Sequence, residues 1–206
     1  VVAGEAARSD RGVADGGRIA TGGNGVVQLW AGDGRLDREL ESGFGAVVSL
    51  DFSGDGRWLA AGMRNRKIRI WDLKTPPASV DISLGGFVTT VDFSPVEPLL
   101  VATTMESSPS LWTTEGKRVR DLHENSPCTC AAFSPEGQRI ATGHRDGLAR
   151  LWSVDGAVLQ VFAGHGDRVT SIAFRPNGAE ILPAGRDGRM IRWDLGAHAL
   201  GVILGP

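Results

Sequence analysis

Residues 127–153 read Pro127-Cys-Thr-Cys-Ala-Ala-Phe-Ser-Pro-Glu-Gly-Gln-Arg-Ile-Ala-Thr-Gly-His-Arg-Asp-Gly-Leu-Ala-Arg-Leu-Trp-Ser153. A strand-like run ends in Phe133, the turn Ser134-Pro-Glu-Gly137 follows, and a second run covers Arg139 to Thr142. The turn His144-Arg-Asp-Gly147 leads into a third run that closes on Trp152. Short β-branched or apolar runs bounded by Gly, Pro, Asp and Ser are hairpin signals. The phrase returns at Phe174-Arg-Pro-Asn-Gly178 with Trp193, at Phe52-Ser-Gly-Asp-Gly56 with Trp71, and at Phe93-Ser-Pro95 with Trp112. A worn copy ends at Trp30. The tryptophans at 30, 71, 112, 152 and 193 lie 41, 41, 40 and 41 residues apart, and the phenylalanines at 52, 93, 133 and 174 lie 41, 40 and 41 apart.

A period of this size, with several strands per unit, predicts an all-β array of propeller blades. The 206 residues then hold about five copies, with expected boundaries at 1–40, 41–83, 84–122, 123–163 and 164–206. In the unit 41–83 the four strands are expected at Val47–Phe52, Arg57–Gly62, Lys67–Trp71 and Ser79–Ser83, as an antiparallel meander. The fourth strands of the last two units are expected at Ala157–Phe162 and Ala199–Leu204. No segment holds a 3.6-residue apolar period, so no helix is expected. In the third unit Pro109 sits near the start of a strand to whose ladder it cannot donate. The segment from Ala6 to Gly12 is a poor innermost strand because it carries three charges where other copies carry apolar residues.

These residues resemble the WD-repeat (WD40) family over nearly the whole chain. The resemblance rests on Gly164-His165, Ser134-Pro-Glu-Gly137, the Asp-Gly turns at 146–147 and 187–188, and the pairs Trp71-Asp72 and Trp193-Asp194. It implies a β-propeller with four-stranded antiparallel blades around a channel. It also implies a hydrogen-bonded tetrad within a blade: a loop His, a Ser or Thr on the second strand, a turn Asp and the Trp. No unit carries all four. Thr142, Asp146 and Trp152 stand together, but Glu124 falls where the His belongs. His165, Asp187 and Trp193 stand together, but Pro183 falls at the hydroxyl position. Ala61 and Asn65 replace the Thr and Asp of the unit 41–83. Stability is therefore expected mainly from apolar packing between blades, with the four in-phase phenylalanines on equivalent faces.

No motif for catalysis, phosphate binding or metal binding is present, so no enzyme, cofactor or metal is expected. His123-Glu124 lacks the second His of a zinc-protease helix, and Gly22-Gly-Asn-Gly25 is followed by a strand rather than a helix N-terminus. Asp51 and Asp92 occupy equal places in two innermost strands. Two readings stay open for them: a cation in the channel, or satisfaction by neighbouring Ser, Thr or backbone groups. The two cysteines, Cys128 and Cys130, are poorly placed for a disulfide and read as buried thiols in a reducing cytoplasm. Formal net charge is -2, which argues against a generic nucleic-acid partner. No apolar run approaches the roughly 20 residues of a membrane span, and a small-molecule partner is not expected.

The resemblance places the loops between second and third strands on one rim. They hold Arg64, Arg66 and Lys67, then His144 and Arg145, then Arg186 and Arg189, with Arg168 expected to join them. Asp146 and Asp187 are expected to point inward, leaving the rim net basic. Ordinary solvated loop charge and a docking face for an acidic segment are both open readings. The leading function is a non-catalytic interaction scaffold that binds a protein or peptide through these loops. The alternative is a regulatory or sensor module of a larger bacterial effector, with a kinase, protease or NTPase outside this segment. The Ala-, Gly- and Arg-rich composition reads as bacterial. Closure at seven blades is the family's habit, so the chain is expected to be part of a larger propeller lacking about two blades.

Overall fold

The computed structural model describes residues 7–9, 17–75, 78–123, 126–196 and 202–204. Every regular element among them is a β-strand, and all ladders are antiparallel. The strands are β1 (Ala7–Ser9), β2 (Arg18–Gly22), β3 (Asn24–Ala31), β4 (Leu36–Phe52), β5 (Trp58–Met63), β6 (Lys67–Asp72) and β7 (Ser79–Ser83). Next come β8 (Val88–Phe93), β9 (Leu99–Thr104), β10 (Ser110–Thr113) and β11 (Arg118–Asp121). The chain goes on with β12 (Cys128–Phe133), β13 (Arg139–His144), β14 (Leu148–Ser153) and β15 (Val158–Ala163). The last are β16 (Val169–Phe174), β17 (Glu180–Gly185), β18 (Met190–Asp194) and β19 (Val202–Leu204).

The strands β8–β11, β12–β15 and β16–β19 form three four-stranded sheets in sequence order, each a meander. The first seven strands form one continuous sheet because β4 is 17 residues long. Its first part pairs with β3 and its second part, from Val47, pairs with β5. The outermost strand of one blade thus runs directly into the innermost strand of the next. Gly43 and Gly45, at φ +79° and +149°, let the chain swing between the two sheets while staying extended. The expected boundary at residue 41 falls inside this strand, and nothing in the local pattern of residues marks the continuity.

The expected strands appear with ends displaced by a residue or so, at β5–β7 and β15. Of the segment read as a poor innermost strand, Ala7–Ser9 pairs with β2 over three residues, where β8, β12 and β16 have six. Residues 10–12 and 199–201 lie outside the described residues, as does Glu124. Pro109 stands just before β10, and its carbonyl accepts the Leu122 N–H at 2.8 Å.

The buried side chains form clusters that bridge consecutive sheets. One joins Ala20, Val27 and Leu29 to Phe52, Leu59 and Trp71. Another joins Ile68, Ile70 and Ile82 to Phe93, Leu100 and Trp112. A third brings Val101 and Leu111 against Phe133, Ile140 and Trp152, and the last joins Leu151 and Phe162 to Val169, Ile172 and Ile181. Each inner-strand phenylalanine is packed on the preceding sheet, as the period requires. Phe52, Phe93 and Phe133 are buried, but Phe174 is only half-buried. The four positions are equivalent in sequence and not in environment.

Polar clasps run beside the apolar contacts. The Asp51 carboxylate accepts the Phe93 N–H at 2.6 Å, and the Asp92 carboxylate accepts the Phe133 N–H at 2.7 Å. Both aspartates are buried, and each links its own inner strand to the next one. Backbone satisfaction is thus the role the structure gives these two residues. The following copy carries Ala132 at that place, so this clasp cannot recur between β12 and β16.

Candidate functional site: the loop rim

The antiparallel order puts two kinds of loop at the same end of every sheet. These are the loop from the second to the third strand and the loop that enters the next inner strand. A recurring backbone bond ties them together. Arg64 donates to Ala46 O, Met105 to Phe87 O, Arg145 to Pro127 O and Arg186 to Arg168 O, at 2.9–3.2 Å. The rim is therefore a set of pinned turns on a rigid scaffold.

Arg64, Arg66, Lys67, Arg145, Arg186 and Arg189 are exposed on this rim, and Arg168 is half-exposed. Among the described residues none of the six rim arginines forms an ion pair. Several arginines elsewhere are matched to carboxylates: Arg57 with Asp72 at 2.8 Å, Arg69 with Asp81 at 2.5 Å, Arg139 with Glu136 at 2.6 Å and Arg150 with Asp146 at 2.9 Å. Arg175 pairs with Glu180 and Arg118 with Asp121 in the same way. Lys67 differs from its neighbours. The Asp81 carboxyl is held below its usual range first by its bond from Arg69, and the Lys67 charge adds to this.

The rim carboxylates are already engaged. Glu106 accepts the Phe87 N–H at 2.7 Å, and Asp167 accepts the Arg168 N–H at 2.6 Å. Asp187 receives His165 Nδ1 at 3.0 Å and the N–H groups of Gly166 and Arg189. Those bonds, the Gly166 N–H foremost, hold its carboxyl down at about 2. Asp146 does not join a tetrad. It accepts the Leu148 N–H and pairs with Arg150, four residues on, because the two side chains flank the start of one strand.

His144 is not a rim residue. It is fully buried at the end of β13, where the strand's two-residue alternation sets it on the same face as Thr142. Trp152 Nε1 donates to Thr142 Oγ1 at 2.8 Å, and that hydroxyl meets His144 Nε2 at 2.7 Å. His144 Nδ1 faces the Ser126 carbonyl at 3.2 Å. A carbonyl only accepts, so Nδ1 carries hydrogen, while Nε2 shares a hydrogen bond with the hydroxyl. The chain runs Trp152, Thr142, His144, Ser126, and a histidine from the strand supplies the ring expected from the loop.

The tetrad is thus split between copies. The Trp–hydroxyl–His half sits around Thr142, and the His–Asp half sits around His165. Trp193 has Pro183 in place of a hydroxyl and instead packs against Phe162, ring centroids 5.3 Å apart. Trp30 finds Thr21 at 2.9 Å. In the third copy the hydroxyl has crossed the ladder: Ala102 lies opposite Ser110, and Ser110 accepts from Trp112 Nε1 at 2.8 Å. Ser110-Leu-Trp112 and Thr142-Gly-His144 were readable as same-face pairs two residues apart, but the family pattern directs attention to other positions.

The rim cations fall into two sectors. Arg64 and Arg66 lie on the loop after β5, and Arg145, Arg168, Arg186 and Arg189 lie on the last two sheets. Between them the loop Met105-Glu-Ser-Ser-Pro109 contributes no cation.

Antiparallel four-stranded sheets linked in series by their inner strands, each with a Trp on its third strand and a rim of pinned loops, define propeller-type repeats. The family model of the WD domain, G-beta repeat, matches residues 35–72, 116–153 and 156–194, and this chain belongs to the WD40 family. Each matched segment starts with, or just before, one blade's outermost strand and ends with the third strand of the next, the joint seen within β4. The chain is 30% identical over 131 residues to the Small ribosomal subunit protein RACK1y of Oryza sativa subsp. japonica, covering 59% of this chain and 39% of that protein. It is 26% identical over 134 residues to the human Angio-associated migratory cell protein, covering 64% and 31%. It is 28% identical over 164 residues to Autophagy-related protein 16 of Arabidopsis thaliana, covering 76% and 32%. The matched region is thus 31–39% of the length of these relatives.

Proposed function

We propose that this chain is a non-catalytic interaction scaffold that docks an acidic segment of a protein partner on its loop rim, in a reducing cytoplasm. The unpaired state of Arg64, Arg66, Arg145, Arg168, Arg186 and Arg189 carries this reading, set against the ion-paired arginines elsewhere. A guanidinium without a carboxylate keeps its planar fork free for an incoming one. The loops that hold these residues are pinned by backbone bonds, so little ordering entropy is lost on binding. The buried, unlinked Cys128 and Cys130 suit a reducing compartment. On the same reading the repeats 1–40, 41–83, 84–122, 123–163 and 164–206 are five blades of a larger propeller. Ala173 is exposed where Asp51, Asp92 and Ala132 are buried, which suits a further blade on that face.

The test is a displayed library of acidic peptides, panned against the wild-type protein and the double variant Arg145→Glu, Arg186→Glu. Enrichment of Asp- and Glu-rich sequences on the wild type, lost in the variant at unchanged melting temperature, is the expected result. Equal enrichment on both proteins makes these charges ordinary solvated surface.

A further inference from the structure

The turn after β5 departs from its sister turns at one residue. In the turns 145–147 and 186–188 the third position is Gly147 or Gly188, at φ +81° and +79°. In the turn 64–66 the same place is Arg66, at φ +67°, the non-glycine residue with positive φ among those described. A side chain in this left-handed conformation is strained, and a glycine there would not be. Backbone strain retained on an exposed loop points to a use for the side chain.

The Arg66 side chain makes no ion pair among the described residues. Its guanidinium carbon lies over the ring of Phe87, 5.0 Å from the centroid. Phe87 is 46% exposed, although its main chain is held at both ends. Its N–H is bound by Glu106 and its carbonyl by the Met105 N–H. Arg66 is tied in as well, its carbonyl accepting the Leu84 N–H at 2.8 Å. Three loops from two neighbouring sheets therefore present one rigid, amphipathic surface. An apolar ring is displayed to solvent with an uncommitted guanidinium stacked upon it, and Arg64 adds a second exposed, unpaired cation in the same turn. The Glu106 carboxylate accepts the Phe87 amide and forms no ion pair with Arg64 or Arg66 among the described residues.

We infer that Arg64, Arg66 and Phe87 form the anchoring subsite for an extended acidic peptide of a partner protein, one that sets an aromatic or aliphatic side chain beside Asp or Glu. The carboxylates pair with the guanidinium groups, and the apolar side chain covers the Phe87 ring. A stacked arginine with an exposed aromatic is the composition that concentrates binding energy at interfaces. The inference rests on the reading of the rim as the partner face and places the anchor of the peptide in one of its two sectors, with the Arg145 to Arg189 sector taking the remaining acidic residues.

The experiment uses fluorescein-labelled peptides of Asp and Glu with one central Phe, together with versions carrying Ser for the Phe, Lys for the acids, or phosphoserine for the acids. Binding is followed by fluorescence anisotropy with the wild type, Arg66→Gly, Arg66→Asn and Phe87→Ser. Gly is the residue of the sister turns and Asn tolerates the left-handed conformation, so both Arg66 variants keep the fold. The expected result is at least about a tenfold loss of affinity in each Arg66 variant at an equal or higher melting temperature. Phe87→Ser should bind the Phe and Ser peptides equally. Acidic peptides that bind the wild type, lose affinity in Arg145→Glu, Arg186→Glu, and ignore Arg66 and Phe87 overturn the subsite while leaving the rim reading intact. No binding of any acidic peptide removes both. Binding of the phosphoserine peptides alone overturns the carboxylate assignment.

Discussion

At the scale of single residues, the buried polar groups decide which side chains are replaceable. Thr142 joins an indole N–H to an imidazole nitrogen by direct hydrogen bonds. Thr142→Val keeps the shape and strands both partners, and a buried donor without an acceptor costs about 1–3 kcal/mol. Urea titration should show a loss of that size, while Ser at this position should retain most of the stability. Asp187 is expected to contribute to the acid sensitivity of the last sheet. Its folded pKa is depressed to about 2 from the value of 3.8 that an unperturbed aspartate has, so it stabilises the fold fully above that unfolded value. That stability is lost as pH falls from the unfolded value through the folded one. Asp187→Asn should flatten the stability profile across this acid window and leave the neutral side unchanged. An unchanged slope in the variant would show that other carboxylates carry the acid transition.

At the scale of strands and sheets, the repeat delivers equal residues to unequal surroundings. Phe133 is buried between Val101, Leu111 and Ile140, whereas Phe174 on β16 is half-buried with the Arg139 guanidinium 5.9 Å from its centroid. Truncating a fully packed phenylalanine costs about 3–5 kcal/mol, much of it from the cavity left behind. Phe133→Ala should lie in that range, and Phe174→Ala should cost clearly less, since solvent already reaches the ring. Equal midpoint shifts in denaturant for the two variants would place Phe174 in a packed core. The continuity of the long strand β4 has no sequence signal, because it depends on two glycines bending the chain between sheets rather than on a hydrophobic pattern.

At the scale of the whole molecule, charge is distributed rather than abundant. The formal net charge of -2 hides a rim whose arginines form no ion pair among the described residues, while several arginines elsewhere, Arg57, Arg69 and Arg139 among them, are paired. Exposed charges act through solvent and are screened beyond about 8 Å at physiological ionic strength. The affinity for acidic peptides should therefore fall steadily between low and high salt, chiefly through slower association. Anisotropy titrations at several salt concentrations check this, and an affinity indifferent to salt contradicts a charge-driven dock.

The recurrence of Phe and Trp, the Gly- and Asp-bearing turns and the lack of a helical period by themselves determined the all-β repeat and most of the strand positions, and carried the family resemblance. These are local properties, since alternation and turn chemistry act within a few residues. The rim loops came from the family resemblance, and antiparallel order agrees with it by putting alternate turns of a sheet at one end. Only the tertiary structure decided what each matched position does. It buried His144 beneath Thr142 and Trp152, moved one hydroxyl across the ladder to Ser110, and turned Asp146 toward Arg150. It assigned Asp51 and Asp92 to the backbone of the next blade. Those outcomes depend on which partner lies within hydrogen-bonding reach across strands and sheets. A linear pattern does not encode that proximity when a shift of one or two residues on the same strand face supplies an equivalent group.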